Sequence, residues 1–216
     1  MAIEKILNVN KPGGMTSCAV VEYIKNKFFP GEKVGHAGTL DPMATGVLLI
    51  CIGKATKSVS RLIEQEKEYE GEMTLGISTD SYDADGKVVQ KADDVHIKAE
   101  DVQKTLEKFR GQIEQIPPMF SALRHNGRRL YELAREGRVV DRKARKVTVH
   151  KFEILMFRPQ KYPKIDFGII CSKGTYIRGL VDEMGKVLGC GAHLSKLTRT
   201  RVGSFRLMDS LNLNEL

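Results

Sequence analysis

Apolar residues recur along this chain at two spacings, every second position and every third or fourth, and the changes between them mark out its elements. Ile6-Leu7-Asn8-Val9-Asn10 reads as a short strand ended by the turn Lys11-Pro12-Gly13-Gly14. Thr16-Ser17 then caps a helix whose apolar positions Val20, Val21, Ile24 and Phe28 keep helical spacing. Val47-Leu48-Leu49-Ile50-Cys51-Ile52 is an unbroken apolar run, the pattern of a strand buried on both faces. A helix is predicted over 58–66, a strand over 68–77, and a hairpin turn at Asp85-Gly86 before Lys87-Val88-Val89. Val102, Leu106 and Phe109 make 98–109 an amphipathic helix, and a second helix is predicted over 128–136, stopped by Gly137. Strands follow at 147–157 and 165–171, a helix at 175–188 ended by Gly189, and a last short helix from Leu211. Strands and helices mix without regular alternation, so the expected class is α+β around a largely antiparallel sheet flanked by helices.

A chain of 216 residues, 41% hydrophobic and 29% charged, has the balance of a soluble globular protein large enough to bury a sizeable core. No apolar run approaches the roughly 18 residues a membrane span needs, and the start lacks the basic and apolar regions of a signal peptide. A cytoplasmic protein is expected. The four cysteines, Cys18, Cys51, Cys171 and Cys190, are scattered without a C-x-x-C pair, which favours reduced buried thiols over a zinc site. The net charge of +8 is concentrated. Between Arg124 and Lys146 nine basic residues face three acidic ones, +9 against −3, so this segment carries +6 and the rest of the chain is close to neutral. Such a patch suits a phosphate backbone; the alternative is a solvated helix face, which normally mixes signs more evenly.

One stretch points to chemistry. In Gly35-His36-Ala37-Gly38-Thr39-Leu40-Asp41-Pro42-Met43-Ala44-Thr45-Gly46, a single carboxylate sits among three glycines, and Pro42 pushes Asp41 out of helical space. The following apolar strand anchors the loop to a core, so Asp41 is either a positioned catalytic acid or a turn residue capping local amides. Arg178 falls in the first turn of the helix after Lys173-Gly174, where a cation meets the positive end of the helix dipole and calls for a carboxylate or phosphate, unless it simply reaches water. Tyr69, between Glu68 and Glu70 in a strand, reads by itself as a packing residue rather than a catalytic one. Other patterns fail. Gly46 to Lys54 has the wrong spacing for a phosphate-binding loop, with Ala55 where Ser or Thr belongs. Around Asp83-Ala84-Asp85-Gly86 a calcium loop would need Ser81 and Ala92 as ligands, and the five histidines have no metal spacing.

Together these pieces resemble the bacterial tRNA pseudouridine synthases of the TruB type. The resemblance is carried by 8–17, the Gly35 to Gly46 loop, Lys67-Glu68-Tyr69-Glu70-Gly71 with Leu75-Gly76, Thr79-Asp80 and Asp83, Pro117-Pro118 with Ser121-Ala122, Ser172 to Arg178, and Ala192-His193-Leu194 with Leu197. It implies conversion of uridine to pseudouridine at position 55 of the tRNA T-loop, by base flipping and without a cofactor or metal. It further implies that Asp41 is the essential aspartate, that Tyr69 stacks on the target base, that Arg178 pairs with Asp41, and that His36 fills the gap left by the flipped nucleotide. Lys11, Tyr176 and Leu197 would contact substrate in the pocket. The basic segment, an insertion at about 117–146 that includes Arg128, Arg129, Lys143 and Arg145, would grip RNA. The implied partner is the T-stem-loop of tRNA, with no guide RNA and a monomeric enzyme. Bacterial relatives usually continue into a C-terminal RNA-binding domain of the PUA type, so one catalytic domain over 1–216 without that addition is expected. A non-catalytic RNA-binding module would need the basic segment but would have no use for Asp41, and a guide-dependent synthase would delegate substrate choice to base pairing.

Overall fold

The run Val47 to Ile52 becomes a central strand in the computed structural model, which describes residues 3–216. In chain order the elements are β1 (Glu4–Lys11), α1 (Ser17–Phe28), β2 (Val34–His36), β3 (Thr45–Gly53), a 3-10 turn (Lys54–Ser58), α2 (Val59–Ile63), β4 (Lys67–Leu75), β5 (Ile77–Thr79) and β6 (Val88–Lys91). Then come α3 (Ala99–Glu107), β7 (Gly111–Gln115), β8 (Arg124–His125), β9 (Arg128–Arg129), α4 (Leu130–Arg135), β10 (Arg145–Arg158) and β11 (Lys164–Cys171). The chain closes with α5 (Ile177–Val187), β12 (Ala192–Val202), β13 (Phe205–Arg206), a second 3-10 turn (Leu207–Asp209) and β14 (Leu211–Asn212). The class is α+β with mixed sheet, as the pattern predicts. The chain divides into two compact units interleaved along the sequence.

The first unit holds residues up to Gly71, Ile169–Lys173 and Lys196–Leu216. Here β3 lies antiparallel to β1 over its whole length, from Glu4↔Gly53 to Lys11↔Gly46, and β2 pairs on it antiparallel as well. The alternation of β3 builds two cores. Leu48, Ile50 and Ile52 pack with Leu7 and Val9 of β1 and Val20 and Ile24 of α1. Val47, Leu49 and Cys51 point the other way, to Ala37, Ala55, Leu62 and Val202. A strand buried on both faces needs this apolar content, which is why the run carries no polar break. Thr16 caps α1 by accepting from the Ala19 amide at 3.0 Å, and Ser17 is thereby released for a different bond.

The second unit holds Glu72–Gly168 and Gly174–Ser195. Its strands run β4, β11, β10, β7, with β7 antiparallel to β10. Phe152 of β10 and Phe167 of β11 meet edge to face with ring centres 5.5 Å apart. Val102 and Leu106 bury the apolar side of α3. The Asp101 carboxylate accepts from the Lys98 amide at 3.1 Å and closes that helix start.

Four expectations are corrected. Leu211 opens no helix: Leu211 and Asn212 pair in parallel with Val9 and Asn10 of β1, and that ladder satisfies backbone groups a one-turn helix would leave open. The helix predicted over 58–66 is a 3-10 turn followed by the single turn α2. The helix predicted from Arg128 starts at Leu130, because Arg128 and Arg129 pair with Arg124 and His125 across Asn126-Gly127, both at positive φ (48° and 84°). Asn-Gly with two positive φ values is the turn that matches strand twist. Finally, β12 is a strand outside the predicted set, although Thr198, Thr200 and Val202 favour one. The Asp85-Gly86 signal holds in outline: β5 and β6 pair antiparallel, joined by residues 80–87.

Candidate active site

The loop between β2 and β3 is held at nearly every residue. Ala37 donates to the Leu49 carbonyl at 2.9 Å. The Ser17 hydroxyl accepts from the Leu40 amide at 2.9 Å and donates to the Leu40 carbonyl at 3.1 Å. The Pro42 carbonyl accepts from the Gly14 amide at 2.9 Å and from the Lys11 ammonium at 3.1 Å. Lys11 is fully buried and also donates to the carbonyls of Met15 at 2.6 Å and Pro12 at 2.8 Å. Residues on both sides of Asp41 are thus tied to β1 and α1, and the carboxylate projects half-buried from a fixed turn. Lys11, expected to line the pocket, serves here as a tether.

The far arm of the loop is held by Arg199 of β12, which sequence reasoning missed. Arg199 is 1% exposed. Its Nη2 donates to the Gly38 carbonyl at 3.0 Å, its Nη1 to Thr39 at 3.4 Å and its Nε to Val47 at 2.7 Å. Gly46 lies opposite Arg199 in the parallel β12–β3 pairing at φ +99°, and a Cβ there would come within 2.3 Å of the Arg199 carbonyl oxygen. Only glycine permits that approach. The available signal was an arginine in phase with Leu197 on an alternating stretch; a charge on the buried face of a strand needs a reason.

Tyr69, on β4, is 8% exposed. Burial pushes its phenol above the ordinary value; the Arg199 guanidinium opposes this, while the Asp41 carboxylate raises it further. Asp41, Tyr69 and Arg199 therefore share one electrostatic neighbourhood in the first unit. His36 belongs to it as well. Burial first, and the Arg199 charge second, lower its pKa below 6.5, so the ring is neutral at physiological pH, and its Nδ1 has no hydrogen-bond partner among the described residues. Lys67, on the same face of β4 as Tyr69, is lowered to about 8 by burial and Arg199, and donates to the carbonyls of Gln65 at 2.6 Å and Ile63. Leu197, 6% exposed, shares the buried face of β12 with Arg199.

Arg178 and Tyr176 belong to the second unit. Tyr176 is clasped by Gln115, whose Oε1 accepts from the Tyr176 amide at 2.8 Å and whose Nε2 donates to its carbonyl at 2.9 Å. Arg178 is 3% exposed, with its guanidinium 5.9 Å from the Tyr176 ring centre. It donates to the carbonyls of Ser81, at 2.9 Å, and Phe120, and its Nε lies 3.7 Å from the Asp83 carboxylate. The dipole argument for an acid beside Arg178 is met within this unit by Asp83, whose carboxylate also accepts from the Ser81 hydroxyl at 2.5 Å and the Asp85 amide at 3.2 Å. That use of Asp83 explains the acidic loop without calcium. Among the described residues no group of three His, Cys, Asp or Glu could hold a metal ion.

The basic segment is also in the second unit. Arg128 pairs with Glu136, both about half exposed. Arg129 donates to the Ala122 carbonyl at 2.5 Å, and Arg142 to Pro117 at 3.1 Å. Lys143 and Arg145 are exposed.

Comparison with known proteins places the chain in a family. Residues 25–177 match the model of the TruB family pseudouridylate synthase N-terminal domain, and residues 178–216 that of the tRNA pseudouridylate synthase B C-terminal domain. The tRNA pseudouridine synthase B of Clostridium kluyveri is 47% identical over 214 residues, 99% of this chain and 72% of that protein. The enzyme of the same name from Pseudomonas aeruginosa is 45% identical over 215 residues, covering 100% of this chain and 69% of that protein. Among solved structures, a chain of a Cbf5-Nop10-Gar1 complex superposes with a TM-score of 0.75 at 32% identity, covering 98% of this chain and 53% of that one. The chain belongs to the TruB family of pseudouridylate synthases.

Proposed function

We propose that this protein isomerises uridine to pseudouridine in tRNA, at position 55 of the T-loop, acting on the T-stem-loop in the cytoplasm as a monomer without a guide RNA. The observation that carries this reading is one half-buried carboxylate, Asp41, on a loop tethered on both sides and sharing its field with a buried tyrosine and arginine. The reaction breaks the N1–C1′ bond, turns the uracil and rejoins it through C5, which gives up its proton. It needs an anionic group at the sugar, and Asp41 is that group, either adding to C1′ or taking the C2′ proton. It also needs a dry site that retains the detached base, and the buried ring of Tyr69 supplies an apolar face for it. Flipping the uridine costs a few kcal/mol of stacking, recovered by stacking on an aromatic ring and by phosphate contacts. The neutral ring of His36 suits the place the uridine vacates, and Leu197 suits the pocket wall; Tyr176 is proposed to bind substrate as part of the motif Ser172 to Arg178. Arg178 is the third proposed catalytic residue, carried by the motif Ser172 to Arg178. Arg128, Arg129, Lys143 and Arg145, within an insertion at about 117–146 of one catalytic domain, are proposed to meet phosphates.

The test is tritium release from transcripts labelled at uridine C5. Release of about one equivalent from a tRNA transcript, and none from the same transcript with cytidine at position 55, is the expected result; release from both, or from neither, overturns the assignment.

A further inference from the structure

A guanidinium withdrawn from water is costly unless its donors are met, and a planar fork of donors fixes whatever it binds. Arg199 spends that fork on the backbone of the loop that carries Asp41, at Gly38 and Thr39, and on Val47 where the loop enters β3. Its strand, β12, lies next to β4, which carries Tyr69, and the Arg199 charge acts on the Tyr69 phenol. We propose that Arg199 is a positioning residue for pseudouridine formation, fixing the Gly38–Thr39 arm of the Asp41 loop from the strand next to that of Tyr69. This rests on the isomerase reading above.

The reason for such a device is the chemistry. A carboxylate that must meet the sugar and an aromatic that must meet the base have to keep their spacing while the base detaches and turns, and a displacement near 1 Å can cost about 10²-fold in rate. Ser17 and Lys11 hold Leu40 and Pro42, the two neighbours of Asp41 in the chain. Arg199 holds the preceding arm from β12, the strand next to that of the tyrosine, so one planar group sets the loop of the acid beside the strand of the aromatic.

Lysine at this position keeps the charge and loses the fork. In Arg199→Lys we expect kcat on a T-stem-loop to fall about 10²-fold with KM within threefold, because uniform binding is retained and only the reacting geometry is lost. Residues acting as one unit are not additive. Adding Tyr69→Phe to Arg199→Lys should therefore slow the reaction less than threefold further, whereas Tyr69→Phe added to Ser17→Ala should multiply. Equal kcat in Arg199→Lys and wild type, a change confined to KM, or full additivity with Tyr69→Phe overturns the proposal. Should the lysine variant fail to fold, the test passes to Tyr69→Phe alone: the Arg199 Nε–H resonance of 15N-arginine-labelled protein must move relative to wild type, and an unmoved resonance overturns the coupling. A wild-type protein that releases no tritium from tRNA overturns the isomerase reading itself, whereas an active wild type with an indifferent Arg199 overturns the positioning role only.

Discussion

The Asp41 loop and the basic segment use cations in opposite ways. Around the loop, Lys11 and Arg199 are fully buried and their donors go to backbone carbonyls, so their charge is fixed in place and serves geometry. Along 124–146 the cations are mostly solvated, and Arg128, which forms an ion pair with Glu136, is itself half exposed. Exposed charges are screened and exchangeable, and exposed pairs contribute only about 0–1 kcal/mol. The first arrangement builds a rigid acid site; the second offers counterion-bearing charge that phosphates can displace. Substitutions in the two regions should therefore fail differently, turnover and folding in the first, salt-dependent affinity in the second.

The largest effect belongs to Asp41. Asp41→Asn preserves the shape of the turn and removes the anion, so turnover should fall by at least about 10³-fold while RNA affinity stays within a few-fold. Single-turnover tritium release and filter binding check both halves, and pseudouridine formation above a few percent of the wild-type rate sinks the catalytic role. Next comes Arg178. Its removal takes the cation from beside the buried Asp83 carboxylate and a donor from each of two carbonyls, and breaking a buried charge pair from one side costs about 3–5 kcal/mol. Urea unfolding of Arg178→Ala should show that destabilisation in addition to a collapse of turnover; unchanged stability would mean that the pair with Asp83 is idle.

Tyr69→Phe keeps the ring and loses the hydroxyl, so the expected change is about 10²-fold in rate if that hydroxyl assists proton transfer, with binding retained. Tyr69→Leu should lose both. Indistinguishable, near-wild-type rates in the two variants would reduce Tyr69 to packing.

How far the sequence carries is visible in these same residues. The elements with strong periodicity, β1, α1, β3, α3, β10, β11 and α5, are legible because burial on one or both faces leaves a pattern. The Asp41 loop is legible because glycine and proline restrict it locally. What escapes is non-local. Nothing near Arg199 in sequence reveals that Gly38, Thr39 and Val47 will receive its donors, since they lie about 150 or more positions away. Thr16 and Ser17 both suit a helix cap by residue type, yet Thr16 takes that place and Ser17 binds Leu40. The Asn126-Gly127 hairpin is written in the sequence, but the density of charge around it masks the turn signal.

A smaller effect separates the cations of the basic segment from one another. Lys143 and Arg145 are exposed, whereas Arg128 is engaged by Glu136. Neutralising Lys143 and Arg145 should flatten the slope of log K against log[salt] by about 0.7–0.9 for each phosphate that the protein no longer neutralises. Neutralising Arg128 should change it less, since freeing Glu136 and losing Arg128 alter the same surface pair. Equal slopes in wild type and the Lys143, Arg145 variant would remove these two from the RNA interface.

The smallest effect returns to the braced region, where acid should act on His36. Its pKa in the folded protein lies below 6.5, through burial first and the Arg199 charge second, whereas the unfolded chain titrates near 6.5. Between those two values the unfolded state binds more protons than the folded one, so stability rises with pH across that window. The contribution of neutral His36 is thus fully present above about 6.5 and is lost as pH falls through the lowered folded value. His36→Phe keeps a planar apolar ring that cannot charge beside Arg199. Urea unfolding at pH 7.5 and pH 5.5 should therefore show wild type losing more stability on acidification than His36→Phe, with the difference confined to that window. Parallel losses in the two proteins would mean that burial and the Arg199 charge do not together hold the pKa of this ring below that of the unfolded chain.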